Sequence, residues 1–176
     1  IQSGERVLVV GSGTIGLLSA QIIKTLADKD VTISVKYKAQ AMMAEMLGIT
    51  NILYSNEVGS EIADVVIDSV GNSASFNDSL KSVNRNGKIS IVGSPVKNLD
   101  VALGNIVGKE LTVKGVLTYA HEYLESDFQK TIDLISDLRI DPRPLVTHTF
   151  PQDDIQTAFK TALDKTENSI KVQIQY

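Results

Sequence analysis

The chain has 176 residues, 43% of them hydrophobic and 22% charged, and its 17 basic and 21 acidic side chains leave a formal net charge of −4. The length suits one globular domain, and the slightly acidic balance excludes the strongly basic surface of a nucleic-acid-binding protein. Cysteine is absent, which excludes disulfides, a thiolate zinc site and a cysteine nucleophile within the chain, and no apolar run approaches the roughly 18 residues of a membrane span.

Short β-branched runs recur along the chain. They predict strands at residues 6–10, 31–35, 51–54, 63–67, 88–92 and 111–116. Their near-continuous hydrophobicity is typical of strands covered on both faces, as in a parallel sheet.

Segments with helical spacing lie between these strands. One predicted helix turns Ile15, Leu18, Ile22 and Leu26 towards the sheet, and a later helix does the same with Phe76, Leu80 and Val83. A further helix is predicted over about 39–47, ending at Gly48, and Asn86-Gly87 indicates the turn into the fifth strand. Residues 55–62 are fewer than a crossover helix needs, so we expect a truncated helix or a tight loop there. Together the elements predict an α/β fold, a Rossmann-type doubly wound parallel sheet with helices on both faces.

The end of the chain has a different organisation. Residues 141–144, Asp-Pro-Arg-Pro, indicate a linker, followed by a strand at 145–150, a helix after Pro151 and a closing strand at 170–174. We predict a dinucleotide-binding domain at 1–143 and a short C-terminal strand-helix-strand appendage at 144–176 that belongs with a neighbouring domain.

A glycine motif, GSGTIG at residues 11–16, directly follows the first predicted strand and precedes the first helix. Gly11 would make the tight turn, Gly13 would let the backbone approach a pyrophosphate, and Gly16 would let the helix and strand pack closely. The phosphates would lie at the helix N-terminus, where N–H groups and the helix dipole favour negative charge. The motif predicts a dinucleotide site; the alternative is a purely structural turn in another α/β protein.

The residue that follows the second strand bears on which dinucleotide binds. About 20 residues after the glycine motif, NAD sites usually have an Asp or Glu that hydrogen-bonds the ribose hydroxyls. At this position the chain instead has Val35, followed by Lys36, Tyr37 and Lys38. Without an acid, a 2′-phosphate is not repelled, and two ammonium groups offer charge-assisted contacts. The pattern favours NADP over NAD; the alternative is that Lys36 and Lys38 only form a solvated loop.

Residues 4–16, 44–48, 63–71, 87–93, 111–115 and 144–150 also fit one family. With them the chain resembles, over nearly its whole length, the coenzyme-binding domain of the zinc-containing medium-chain dehydrogenase/reductase family, the alcohol, sorbitol and threonine dehydrogenase branch. The resemblance implies an oxidoreductase that transfers hydride between a nicotinamide dinucleotide and an alcohol or carbonyl carbon, with a zinc ion polarising the oxygen. In that family the zinc ligands and proton-relay residues belong to an N-terminal catalytic domain. The resemblance therefore implies a fragment beginning at Ile1, inactive alone, with no catalytic or metal residues of its own, whose residues 144–176 return towards that domain.

The resemblance also implies cofactor contacts, position by position. Thr14 and Ile15 resemble contacts to the pyrophosphate, and Val35, Lys36 and Tyr37 occupy the adenosine-ribose positions. The remaining positions are Ser69, Val70 and Gly71 beside the adenine-side ribose, Val92, Gly93, Ser94, Val116 and Thr118 around the nicotinamide, and Lys171 near the pyrophosphate. Lys171 is equally interpreted as a surface lysine on an edge strand.

Several alternatives stay open. Asp68, at the end of a predicted strand, is either a catalytic acid or a structural hydrogen-bonding residue. A zinc-free quinone or enoyl reductase of the same superfamily, or a non-catalytic regulatory module that binds a dinucleotide, fits the same motif. Cys and His-Glu zinc-ligand motifs in sequence preceding this segment would indicate the zinc-containing branch, and their absence would indicate the reductase branch.

For partners, the resemblance implies a homodimer through the strand at 111–117, which by itself is an apolar edge that needs covering. No nucleic-acid or membrane partner is expected. Nothing at the start reads as a signal peptide, so the expected compartment is the cytoplasm.

Overall fold

The computed structural model describes residues 1–27, 30–95, 97–117 and 124–176. The first six strands in these ranges are β1 (Val7–Val10), β2 (Val31–Val35), β3 (Asn51–Tyr54), β4 (Ala63–Asp68), β5 (Val83–Ile91) and β6 (Thr112–Gly115). They form one sheet in the order β3-β2-β1-β4-β5-β6, in which every neighbouring pair is parallel. This is the predicted doubly wound sheet.

Helices cover both faces of the sheet. The helices are α1 (Thr14–Ala27), α2 (Lys38–Met46), α3 (Ser73–Ser82), α4 (Leu103–Gly108), α5 (Leu124–Ser136) and α6 (Ile155–Leu163). Alternate residues of β1 enter two separate cores: Val7 and Val9 pack in the cluster that holds Leu17 of α1, whereas Leu8 and Val10 pack in the cluster that holds Leu80 of α3. Because successive side chains of a strand point to opposite faces, a strand covered on both sides is apolar throughout.

The connection from β3 to β4 is short, as the sequence predicts. It contains a single 3-10 turn at Ser55–Glu57 and then returns to β4, which pairs with β1. Strand order therefore reverses direction at β1 and β4, whose carboxyl ends are where ligands of such sheets bind.

The predicted buried stripe of α1 is wrong for Ile15 and Leu26, whereas Leu18 packs against the core as predicted. Ile15 is 52% exposed and Leu26 49% exposed, while Leu18 and Ile22 are half-buried. The buried residues are instead Gly16, Leu17, Ala20, Gln21 and Ile23. Gly16 lies on this buried side of the helix, and a Cβ there would overlap the carbonyl oxygen of Gly11.

The fifth strand also begins earlier than predicted. β5 runs through the Asn86-Gly87 pair rather than starting after it. Asn86 adopts a φ of 58°, and the register between β4 and β5 shifts between Ala63 and Val65. The dipeptide is therefore an irregularity within the strand, which Asn tolerates because it enters the left-handed region more readily than most residues.

The C-terminal segment forms a separate two-stranded sheet. β7 (Val146–Pro151) and β8 (Lys171–Gln175) pair in parallel, with α6 between them in the chain. Leu145, 1% exposed, packs into the core beside α1 and β2. The hydroxyl of Thr14 donates to the carbonyl of Ile170 at 3.1 Å, so the segment also contacts the start of α1.

No helix in the described ranges is both long and apolar enough to cross a membrane.

Candidate functional site

A cleft of about 400 Å³ opens at the carboxyl edge of the sheet, where strand order reverses. The ends of β1 to β4 and the first turns of α3 surround it. Its lining residues are Val10, Gly11, Ser12, Gly13, Ser34, Val35, Lys36, Tyr37, Gln40, Ser55, Val70, Asn72, Ala74, Ser75 and Asp78.

The glycine loop forms one wall of the cleft, and its glycines have different surroundings. Gly11 has a φ of +97°, a conformation that side chains with a Cβ rarely adopt. A Cβ on Gly16 would lie 2.7 Å from the Ser69 hydroxyl, whereas a Cβ on Gly13 would meet nothing within 4 Å. Gly16 therefore serves packing, and Gly13 borders open space.

Ser12 adds a polar group to this wall. It is 3% exposed, and its hydroxyl has no hydrogen-bond partner within the described structure. A buried hydroxyl ordinarily finds a partner. An unpartnered hydroxyl beside the N-terminus of α1 suits an anionic ligand, because the backbone N–H groups there also favour negative charge.

The turn after β2, next to the glycine loop, also lines the cleft. Val35 is 1% exposed and packs in the core, so its side chain does not project into solvent. Lys36 and Tyr37 are exposed, and the Lys36 ammonium lies 5.5 Å from the centroid of the Tyr37 ring. The backbone N–H groups of both residues donate to Gln40 Oε1, at 3.0 and 3.1 Å. Gln40 therefore holds the shape of this turn through main-chain contacts.

The loop after β4 forms the floor, and it decides between the two interpretations of Asp68. Asp68 is fully buried. Its carboxylate accepts hydrogen bonds from the backbone N–H groups of Val70 and Gly71, at 2.9 and 3.1 Å, and from the Ser75 hydroxyl at 3.1 Å. This geometry favours a structural role, since these bonds hold the loop against α3 and leave the carboxylate away from solvent.

The cleft brings together six of the residues selected from the sequence: Gly11, Gly13, Val35, Lys36, Tyr37 and Val70. Ser69 lies just behind the glycine loop, where its hydroxyl donates to the carbonyls of Val10 and Gly11 at 2.9 and 3.2 Å. Gly16 and Gly71 are buried, and Thr14 and Ile15 open α1. Lys38 lines a separate groove beside α2.

The residues selected for the nicotinamide region follow β5 and β6, outside the lining of the cleft. The N–H groups of Val92 and Gly93 both donate to the Asp68 carbonyl at 2.9 Å, and that of Val116 donates to Ile91 at 2.9 Å. Ser94 is exposed. Thr118 lies outside the described residues. Lys171 is exposed at the start of β8, next to the Ile170 carbonyl that Thr14 contacts.

Several lining residues were missed by the sequence analysis: Ser12, Ser34, Gln40, Ser55, Asn72, Ala74, Ser75 and Asp78. Two of them carried a local signal. Ser12 lies inside the glycine motif, and Gln40 stands four residues after Lys36, close enough to bond the preceding turn. Asp78 had no such signal, because its place depends on which face of α3 meets the cleft.

Asp78, on α3, is a half-buried carboxyl group in the lining of the cleft. Burial raises the pKa of Asp78 above its ordinary value, with the nearby charge of Lys81 opposing the rise and that of Asp68 adding to it. The raised pKa indicates that the protein itself solvates this carboxylate poorly.

The described residues do not supply a metal site. They contain no group of three or more His, Asp or Glu side chains placed to hold a metal ion, and the chain has no cysteine. His148 stacks on Phe150, with ring centroids 6.5 Å apart, and His121 lies outside the described residues. The donor set of these residues does not fit a zinc ion.

Comparison with known proteins identifies relatives over most of the chain. The family profile described as "Zinc-binding dehydrogenase" matches residues 14–137. The L-threonine 3-dehydrogenase of Legionella pneumophila is 30% identical over 167 residues, which are 89% of this chain and 48% of that enzyme. The chain thus spans about half the length of such relatives.

Solved structures share the fold. A structure described as a short chain alcohol dehydrogenase from Escherichia coli CFT073, complexed with NADH, has a TM-score of 0.79 and 23% identity, covering 96% of this chain and 51% of that one. A structure described as a "putative zinc-binding dehydrogenase" from Sinorhizobium meliloti 1021, bound to NADP, has a TM-score of 0.83 and 20% identity, covering 99% of this chain and 54% of that one.

Proposed function

Because this chain belongs to the zinc-binding dehydrogenase family, we propose that it is the coenzyme-binding part of an oxidoreductase that moves hydride between a nicotinamide dinucleotide and an alcohol or carbonyl substrate. The observation that carries the proposal is the glycine loop at the cleft. Gly13 borders open space and Ser12 presents a buried, unpartnered hydroxyl beside the N-terminus of α1. These features suit a pyrophosphate, which needs close backbone approach and hydrogen-bond donors.

The chain itself would bind and orient the dinucleotide, whose nicotinamide supplies the hydride when bound. Ser12 and the N–H groups at the start of α1 would hold the pyrophosphate, and Lys36 and Tyr37 would lie beside the adenosine ribose. We place the dinucleotide-binding domain at 1–143, with 144–176 returning to the part of the longer relatives that this chain does not span. Zinc, substrate and proton relay would belong to that part, so the chain alone would be inactive.

We further propose that NADP(H) is preferred over NAD(H). The end of β2 carries no acid, and Lys36 and Lys38 follow it, although Lys38 lines the neighbouring groove and could reach a 2′-phosphate only from that side. The solved relatives include one complex with NADH and one with NADP, so the fold does not select the cofactor.

Titration of the purified chain with each reduced dinucleotide tests both proposals. We expect the Kd for NADPH to be at least about tenfold below that for NADH at low ionic strength, with the ratio shrinking as added salt screens the ammonium groups. Equal Kd values would refute the preference for NADP(H). Binding of neither dinucleotide would refute the assignment of the cleft.

A homodimer is proposed through residues 111–117. β6 is the edge of the sheet, and beyond it Val116 is 47% exposed and Leu117 82% exposed. An unpaired strand edge followed by two exposed apolar side chains favours pairing with a second copy across a two-fold axis. We expect a light-scattering mass twice that of the monomer, and Leu117→Lys is expected to lower it to that of the monomer. A monomeric mass for the unaltered chain would contradict the proposal.

A further inference from the structure

One face of α3 forms the far wall of the cleft. Ala74, Ser75 and Asp78, at helical positions i, i+1 and i+4, all line it. Asp78 carries the only carboxylate among the described residues that line the cleft. A charged acceptor at this position needs an explanation, because the proposed ligand is itself an anion.

The occupant of this wall follows from the geometry of a dinucleotide, so the inference rests on the proposed function. With the pyrophosphate at the start of α1 and the ribose at the end of β2, the base attached to that ribose has to fill the rest of the cleft. Among the lining residues that the pyrophosphate and the ribose would leave free are Ser55, just after β3, and the residues on the face of α3. Asp78 therefore stands where the base would be.

The other side-chain acceptors that α3 and its N-cap residue present to the cleft already have partners. Asn72 Oδ1 accepts from the Ser75 backbone N–H at 2.9 Å. The Ser75 hydroxyl lies 3.1 Å from the carboxylate of Asp68 and 3.0 Å from the carbonyl of Asn72, and it accepts from the Asn72 N–H at 3.1 Å. No described group donates a hydrogen bond to Asp78. Its carboxylate is thus the free acceptor on this wall, half-buried and facing a ligand space.

We propose that Asp78 recognises the base of the dinucleotide, because its carboxylate accepts a hydrogen bond from the exocyclic 6-amino group of adenine. An ionised carboxylate only accepts hydrogen bonds. A purine with a 6-oxo group would oppose the carboxylate with a second acceptor, and a site built around a polar contact rejects a ligand that leaves it unpaired. Asp78 would therefore be a specificity-determining residue for an amino-substituted base.

The test compares NADPH with nicotinamide hypoxanthine dinucleotide phosphate, which carries a 6-oxo base. A hydrogen bond to a charged group is worth about 1.5–3 kcal/mol, so we expect the unaltered chain to prefer adenine by about 10-fold to 100-fold. Asp78→Asn presents both a donor and an acceptor, and this variant should bind the two dinucleotides within about threefold of each other. Asp137→Asn, which removes an exposed carboxylate after α5, is the matched control and should keep the preference for adenine.

The outcomes separate the inference from the function beneath it. If the unaltered chain binds both dinucleotides equally well, the role of Asp78 is refuted and the proposed function stands. If Asp78→Asn keeps the preference, or alters the ratio of NADPH to NADH instead, Asp78 does not read the base. If no dinucleotide binds, the proposed function itself fails. Equal binding of both dinucleotides by the unaltered chain refutes the role of Asp78 even if the variant does not fold.

Discussion

Gly16→Ala is expected to destabilise the chain severely, whereas Gly13→Ala is expected to keep the fold and impair dinucleotide binding. At Gly16 the new methyl group would overlap the Gly11 carbonyl and lie 2.7 Å from the Ser69 hydroxyl. Overpacking of this kind costs about 1–3 kcal/mol, and more where the neighbour is backbone that cannot rotate away. Urea unfolding followed by circular dichroism should show a loss of about 3 kcal/mol, or no folded baseline.

Gly13→Ala is the matched control, because the same methyl group is added three residues earlier in the same loop. It would meet nothing within 4 Å, and the cost should be limited to about 1 kcal/mol for Ala at the residue before α1. The methyl group would, however, stand where the backbone is proposed to approach the pyrophosphate, so the Kd for NADPH should rise at least about tenfold. Unchanged binding by a folded Gly13→Ala variant would contradict the pyrophosphate site.

Lys36→Glu is expected to lower the affinity for NADPH by about 100-fold while changing that for NADH by less than about threefold. The loss combines a charge-assisted contact, worth about 1.5–3 kcal/mol, with repulsion between a carboxylate and the 2′-phosphate. NADH has no phosphate there and should be little affected. Calorimetric titration with both dinucleotides, at low and high salt, measures the ratio.

The structure allows this substitution to be made without disturbing the turn. Gln40 holds the turn through the backbone N–H groups of Lys36 and Tyr37, which Lys36→Glu leaves in place. Lys130→Glu on α5 makes the same change of net charge at an exposed position outside the cleft, and should leave both Kd values unchanged. Equal losses for NADPH and NADH on Lys36→Glu would show that Lys36 does not distinguish them.

The fold was predictable from local patterns. Runs of β-branched residues predicted every strand of the six-stranded sheet, and the two C-terminal strands, to within a few residues except β5. The absence of a full crossover helix between β3 and β4 was predictable from the number of residues between them, and the structure has only a 3-10 turn there. The family resemblance was confirmed by the match of residues 14–137. It was recognisable from the sequence because the motifs that carry it are short and contiguous and need no knowledge of packing.

Which side chains of a helix face the core was not predictable in the same way. The apolar spacing of α1 predicted Ile15 and Leu26 as buried, yet both are about half exposed, because the side of α1 that packs closely is the one that carries Gly16, Leu17 and Ala20. The apolar spacing shows which residues share one side of a helix. Which side packs on the sheet depends on where the helix and the sheet come closest to each other.

The sequence by itself determined the sheet, the glycine loop and the family, because strand propensity, turn chemistry and motif spacing act between residues close together in the chain. Only the tertiary structure decided which side chains meet at the cleft. It turned Asp78 towards the cleft, committed Asp68 to the loop after β4 and left the Ser12 hydroxyl without a partner. Those outcomes depend on contacts between segments far apart in the chain, whose geometry exists only once the helices have packed on the sheet.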